Sequence, residues 1–169
     1  MSHHLELHVR QRSRRLIVVL LMAIAAMLFA AFTGALLIRR TGADWSPVPL
    51  PGILWATTAV IALSSVTMEV ARRKASRGWL GVTMALAFLF LAGQVLAYRS
   101  LASDGYADPR IIHGAFFVTL CAVHAVHVLG GLTAMVYARR RPAILDVCTT
   151  YWHFVGVVWV YLYFLLSVA

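Results

Sequence analysis

Five stretches of the chain are almost wholly apolar, and the charged residues collect between them. The runs are Leu16–Ile38, Gly52–Ala71, Trp79–Tyr98, Ile112–Ala138 and Val147–Val168. At about 1.5 Å rise per residue, each is long enough to cross a hydrocarbon core of roughly 30 Å. The pattern therefore predicts five membrane-spanning helices. The connections are short, so neighbouring helices are expected to run antiparallel. Between the first two, Trp45-Ser46-Pro47-Val48-Pro49-Leu50-Pro51 is a stiff turn whose three prolines keep a helix from starting before Gly52. The first run is too long for a removed signal peptide and lacks a convincing small-residue cleavage site.

Composition narrows the class. Of 169 residues, 62% are hydrophobic and 12% charged, whereas an average soluble domain is about 45–50% apolar and about 25% charged. A soluble enzyme and a disordered chain are both excluded. The expected organisation is a basic cytoplasmic N-terminus over residues 1–15 and one five-helix, all-α membrane domain over 16–169. No room remains for a separate soluble domain.

The net charge of +9 would suit nucleic acid, but its placement does not. The basic residues form short clusters between apolar runs, which is how topology signals are arranged, and nucleic acid is not an expected partner. Arg10, Arg12, Arg14, Arg15, Arg72, Arg73, Lys74, Arg77, Arg139, Arg140 and Arg141 fall on one side. Only Arg39, Arg40, Arg99 and Arg110 fall on the other, with Asp44, Asp104 and Asp108. The positive-inside rule then places the N-terminus in the cytoplasm and the C-terminus outside. Cys121 and Cys148 lie in or beside apolar runs and form neither a disulfide framework nor a cysteine metal motif.

Small residues mark candidate packing faces. Ala26, Ala30 and Gly34 recur every four residues on helix 1, Gly93 and Ala97 on helix 3, and Gly130, Gly131 and Ala134 on helix 4. Trp55, Trp79, Tyr98, Tyr137, Tyr161 and Tyr163 lie near span ends, where interfacial aromatics gather.

Ionisable and polar groups within the spans are the candidate chemistry, because each is costly there unless paired or used. They are His113, His124 and His127 on helix 4, His153 on helix 5, Gln94 on helix 3 and Glu69 at the end of helix 2. Glu69 lies within one turn of Arg72 and Arg73, so an ion pair along the helix explains it better than a proton relay. His113 and His127 have the spacing of a two-haem cytochrome helix, but helix 5 offers only His153. His127 and His153 are also expected roughly 18 Å and roughly 9 Å from the inner ends of their helices, unequal depths for one haem. His124 and His127 share a face without a carboxylate, which makes a poor metal site. The favoured reading has these histidines hydrogen-bonding across helices to backbone carbonyls, Gln94, Thr119 or a neighbouring chain. No phosphate loop, Ser-His-Asp set or close carboxylate pair accompanies them. Catalytic, cofactor and metal residues are therefore not expected in this chain.

One combination of motifs is specific. His124-Ala125-Val126-His127-Val128-Leu129-Gly130-Gly131, followed by Tyr151-Trp152-His153-Phe154-Val155-Gly156-Val157-Val158-Trp159, resembles subunit III of the haem–copper terminal oxidases. Thr57-Thr58 with Ser64-Ser65-Val66-Thr67, and Gln94 with Tyr98, are similar to further family segments. The resemblance runs from about helix 1 to the C-terminus and corresponds to a five-helix form that lacks the family's first helix pair. Two departures stand out. Ala26 occupies the place of a frequent family glutamate, and Gly156 that of the aspartate after YWHFV.

The resemblance implies a non-catalytic subunit that stabilises subunit I and supports proton uptake while the complex reduces oxygen. Haem and copper would sit in subunits I and II, which would be its partners together with membrane lipid, and lipid is the one expected ligand. The inner membrane of a bacterium would be its location, and a larger respiratory supercomplex is compatible with the reading. The accessory subunit of a nitric oxide reductase shares these motifs. Two other classes compete: a haem-binding dehydrogenase anchor, and a small dimeric transporter, for which no convincing internal repeat is found.

Overall fold

The computed structural model describes the backbone of residues 2–168 except 44, 46 and 109, and side chains from residue 12 onward. Arg10, Asp44 and Ser46, named above for topology and the stiff turn, lie outside the described side chains. The fold is all-helical: α1 (Ser2–Arg40), α2 (Ile53–Lys74), α3 (Arg77–Ser103), α4 (Ile112–Arg140), a short 3-10 turn (Pro142–Ile144) and α5 (Leu145–Val168). All five α-helices contain a segment long and apolar enough to cross a membrane. This is a five-helix membrane bundle.

The helices outrun their apolar cores. α1 continues through the basic N-terminal segment to Ser2. Residues 2–33 contain neither proline nor glycine, so nothing in that stretch breaks the backbone hydrogen bonds. α2 carries on past Ala71 to Lys74 and then stops sharply. Ala75 adopts a left-handed conformation (φ 46°), and the Ser76 amide donates to Ala71 O at 3.1 Å. That closure leaves only Ala75 and Ser76 between α2 and α3, which forces the two into an antiparallel hairpin.

α2, α3, α4 and α5 form a ring in which each helix packs on the next and α5 returns to α2. α1 lies outside that ring, against α4 and α5, and among the described residues it does not pack on α2 or α3. The core of the ring is built on Trp152, Trp159 and Phe90, and Phe90 meets Trp159 edge to face at 5.0 Å. Small residues allow the close approaches. A Cβ on Gly93 would run into the Thr57 side chain, and one on Gly131 would lie 2.8 Å from Trp152 Cε3. Ala26, Ala30 and Gly34 behave differently. All three are exposed, and among the described residues nothing beyond its own stretch of helix lies within 4 Å of where a Cβ on Gly34 would stand.

Candidate functional site

The two motif tryptophans of α5 reach α2, which receives them with a line of hydroxyls. Trp152 Nε1 donates to Ser64 Oγ at 3.1 Å, and Trp159 Nε1 donates to Thr58 Oγ1 at 3.0 Å. Gln94 on α3 donates through Nε2 to Thr57 Oγ1 at 3.1 Å, and the Thr67 and Thr83 hydroxyls lie 2.9 Å apart. The α2 hydroxyls can accept because they donate elsewhere. Thr57 and Thr58 give their protons to Leu54 O, and Ser64 gives its own to Ile61 O, each one turn back. Serine and threonine suit a buried helix face for this reason: one hydroxyl serves its own backbone and a second helix at once. The sequence signal for these staples is the Thr57-Thr58 and Ser64 to Thr67 pattern. Its partners on α3 and α5 could not be assigned from the sequence.

Among the described residues of this chain, the His124 and His127 rings make no hydrogen bond to another helix. His124 is 1% exposed and enclosed by Phe29 of α1, Phe90 of α3 and Trp159 of α5, at ring distances of 6.3, 5.9 and 5.2 Å. Neither of its ring nitrogens has a hydrogen-bond partner among the described residues. It is one ring in an aromatic layer that joins four helices. His127 bonds through Nδ1 to Val123 O on its own helix at 2.8 Å, so its Nδ1 carries the proton. The contact that does cross helices uses its carbonyl, which accepts from Tyr151 OH at 3.2 Å. Gln94 reaches α2 and neither histidine.

His113 lies at the far end of α4 from the basic clusters. The Val48 amide donates to its Nδ1 at 2.7 Å, which leaves the ring proton on Nε2. Trp45 stacks on the ring at 5.0 Å. The proline-rich connection between α1 and α2 is thereby tacked onto the start of α4. A second polar link joins α1 to the ring, where Thr33 Oγ1 and Tyr161 OH lie 2.8 Å apart.

Glu69 accepts from Arg72 Nη2 at 2.6 Å, Arg72 Nε at 2.9 Å and Arg73 Nε at 2.7 Å. Arg72 also reaches Asp146 of α5 at 3.4 Å, and His153 Nε2 lies 3.9 Å from Glu69 Oε2. The local pair foreseen along α2 is thus the centre of a network between α2 and α5. A cavity of about 530 Å³ opens beside it, bounded by Arg15, Glu69, Asp146 and His153. A second, apolar groove of about 520 Å³ runs between α1 and the α4–α5 pair, with Arg14 at one end and His127 and Leu28 among its lining. His127 and His153 therefore border different cavities. Among the described residues, no three His, Cys, Asp or Glu side chains gather as a metal-ligand set.

No family model matches the chain. Individual relatives do. The probable cytochrome c oxidase subunit 3 of Mycobacterium tuberculosis is 30% identical, with 82% of this chain and 77% of the relative aligned. The cytochrome c oxidase subunit 3 of Corynebacterium diphtheriae is 32% identical over 73% of this chain and 67% of its own length. That of Synechocystis is 28% identical over 88% of this chain and 72% of its own length. Identity at that level over most of both chains, on a bundle that uses Trp152, Trp159 and Gln94 to join its helices, is decisive: the chain belongs to the cytochrome c oxidase subunit 3 family.

Proposed function

We propose that the chain braces subunit I of its oxidase and supports proton uptake, from the inner membrane of a bacterium, with its N-terminus in the cytoplasm and its C-terminus outside. As a subunit 3 it is a non-catalytic component of a haem–copper oxidase and takes part in oxygen reduction only within that complex. Subunit II and membrane lipid complete the proposed set of partners, with haem and copper held in subunits I and II.

The observation that carries the reading is the use made of the motif residues. Trp152, Trp159, Gln94 and Tyr151 are engaged in joining helices of this bundle, which suits a rigid support rather than a reacting centre. The orientation is supported by the basic residues that end α2 and α4 and begin the α1 span. The cavity beside Glu69, Asp146 and His153 opens at that same basic end and supports a role in proton uptake. The apolar groove with Arg14 at its end supports an acyl chain as the bound ligand.

The test is affinity purification of the tagged chain from its native membrane in mild detergent, with mass spectrometry of what accompanies it. Recovery of subunits I and II is the expected result. A dehydrogenase in their place, or a folded chain recovered alone, would overturn the reading. In the same preparation, His153→Ala should lower the yield of complex more than the turnover of each complex that assembles.

A further inference from the structure

The faces that α1, α3 and α4 turn outward within their spans are mostly apolar, with the hydroxyl-bearing Thr119 and Thr133 exposed on α4. Met27, Phe88 and Val126 are each more than half exposed there. The seam between α2 and α5 is different. His153 stands eight residues, about 12 Å, into α5, and 41% of its side chain is exposed. Among the described residues its ring makes no hydrogen bond, since the 3.9 Å to Glu69 Oε2 is too long for one. Glu69 itself is engaged by two arginines.

Two outward-opening cavities meet at this histidine. One, of about 440 Å³, extends toward Arg73, and the other, of about 650 Å³, extends along the seam to Phe164. Ser65 borders both, and Gly156 forms part of the floor, where a Cβ would stand 3.0 Å from Ser65 Oγ. The seam is thus a groove with a polar strip, and its rim carries Val157 and Phe164, 67% and 65% exposed.

Hydrocarbon offers an imidazole no partner. Polar side chains within spans accordingly face the interior of a bundle or a watered cavity. His153 borders the polar cavity beside Glu69 on one side, but its other side opens along the seam, so the interior on that side belongs to a larger bundle than this chain makes alone. The end of the groove adds a charge preference. Arg73 is 73% exposed and uses only Nε on Glu69, which leaves both Nη groups for an acceptor beyond the chain.

We propose that the α2–α5 seam is the face on which this subunit docks against a transmembrane helix of another oxidase subunit. That helix presents a hydrogen-bonding side chain at the depth of His153, and a carboxylate or free helix-end carbonyls beside Arg73. The proposal rests on the subunit assignment above and adds to it the face.

The experiment places a photo-crosslinking benzoylphenylalanine at Val157 or Phe164 of the tagged chain, with Phe88 on α3 and Val126 on α4 as comparison sites, in the oxidase within its native membrane. Irradiation is expected to join positions 157 and 164 to another oxidase subunit and to leave 88 and 126 without such an adduct. Adducts at 157 and 164 with lipid alone or with a second copy of this chain would overturn the proposal, as would oxidase adducts from 88 or 126. The subunit assignment is read separately, by the proteins recovered before irradiation, and its failure would take the proposal with it. His153→Leu should lower the recovered oxidase by about three- to tenfold, the effect of one interhelical hydrogen bond in a membrane. His153→Gln should restore it. Equal recovery with Leu and Gln would overturn the assigned role of His153.

Discussion

Trp152 and Ser64 are both fully buried, and the indole Nε1 of one donates to the hydroxyl of the other at 3.1 Å, tying α5 to α2. Ser64→Ala would leave the indole N–H without an acceptor in a site closed to water. Interhelical hydrogen bonds in membranes contribute about 0.6–2 kcal/mol, so the variant should be destabilised by that order. Unfolding midpoints in detergent would measure it, and an unchanged midpoint would remove this bond from the account of stability.

Gly131 faces the same indole from α4. Gly131→Val would drive two γ-carbons into Trp152, whose ring is already 2.8 Å from where a Cβ would stand. Overpacking of a filled core costs about 1–3 kcal/mol. The expected result is a lower yield of folded chain and of assembled oxidase, whereas Gly130→Val, at an exposed position of the same helix, should be close to neutral. Equal losses from the two variants would contradict the packing described.

His124 makes the opposite forecast. It is buried, with both ring nitrogens unpartnered among the described residues, and an unsatisfied buried polar group costs about 1–3 kcal/mol. His124→Leu, of similar volume, should therefore hold or raise the thermal midpoint by a few degrees. A clear drop would mean that the ring contributes polar bonding and not only shape.

Ala75 ends α2 in a left-handed conformation that costs an L-residue with a Cβ about 1–2 kcal/mol. Ala75→Gly should relieve much of this, offset by about 0.5–1 kcal/mol of added freedom in the unfolded chain. A small gain in stability is expected with no change in oxidase assembly. Differential scanning of the purified chain would show it, and a loss would place Ala75 outside the left-handed region in the membrane.

The local pairing of Glu69 with Arg72 and Arg73 was legible in the sequence, because residues three and four apart on a helix are neighbours whatever surrounds them. Its extension to Asp146 and His153 was not, since it depends on which faces α2 and α5 turn toward each other. The histidines show the same divide. Their presence within the spans could be read from residue types, but not that His124 would be enclosed by Phe29, Phe90 and Trp159, nor that His113 would hold Val48.

Span number, approximate span limits and the asymmetry of basic residues were determined by the sequence alone, because the cost of placing charge in hydrocarbon acts on each residue separately. The rotation of each helix about its axis was decided only in the tertiary structure. In a soluble protein the apolar stripe points inward. In a membrane, lipid is as apolar as the core, so hydropathy does not distinguish the two faces. Ala26, Ala30 and Gly34 consequently read like Gly93 and Gly131 in the sequence, yet they face outward while the two glycines receive Thr57 and Trp152. Close packing and hydrogen bonds between helices made that choice, and both are properties of residue pairs far apart in the chain.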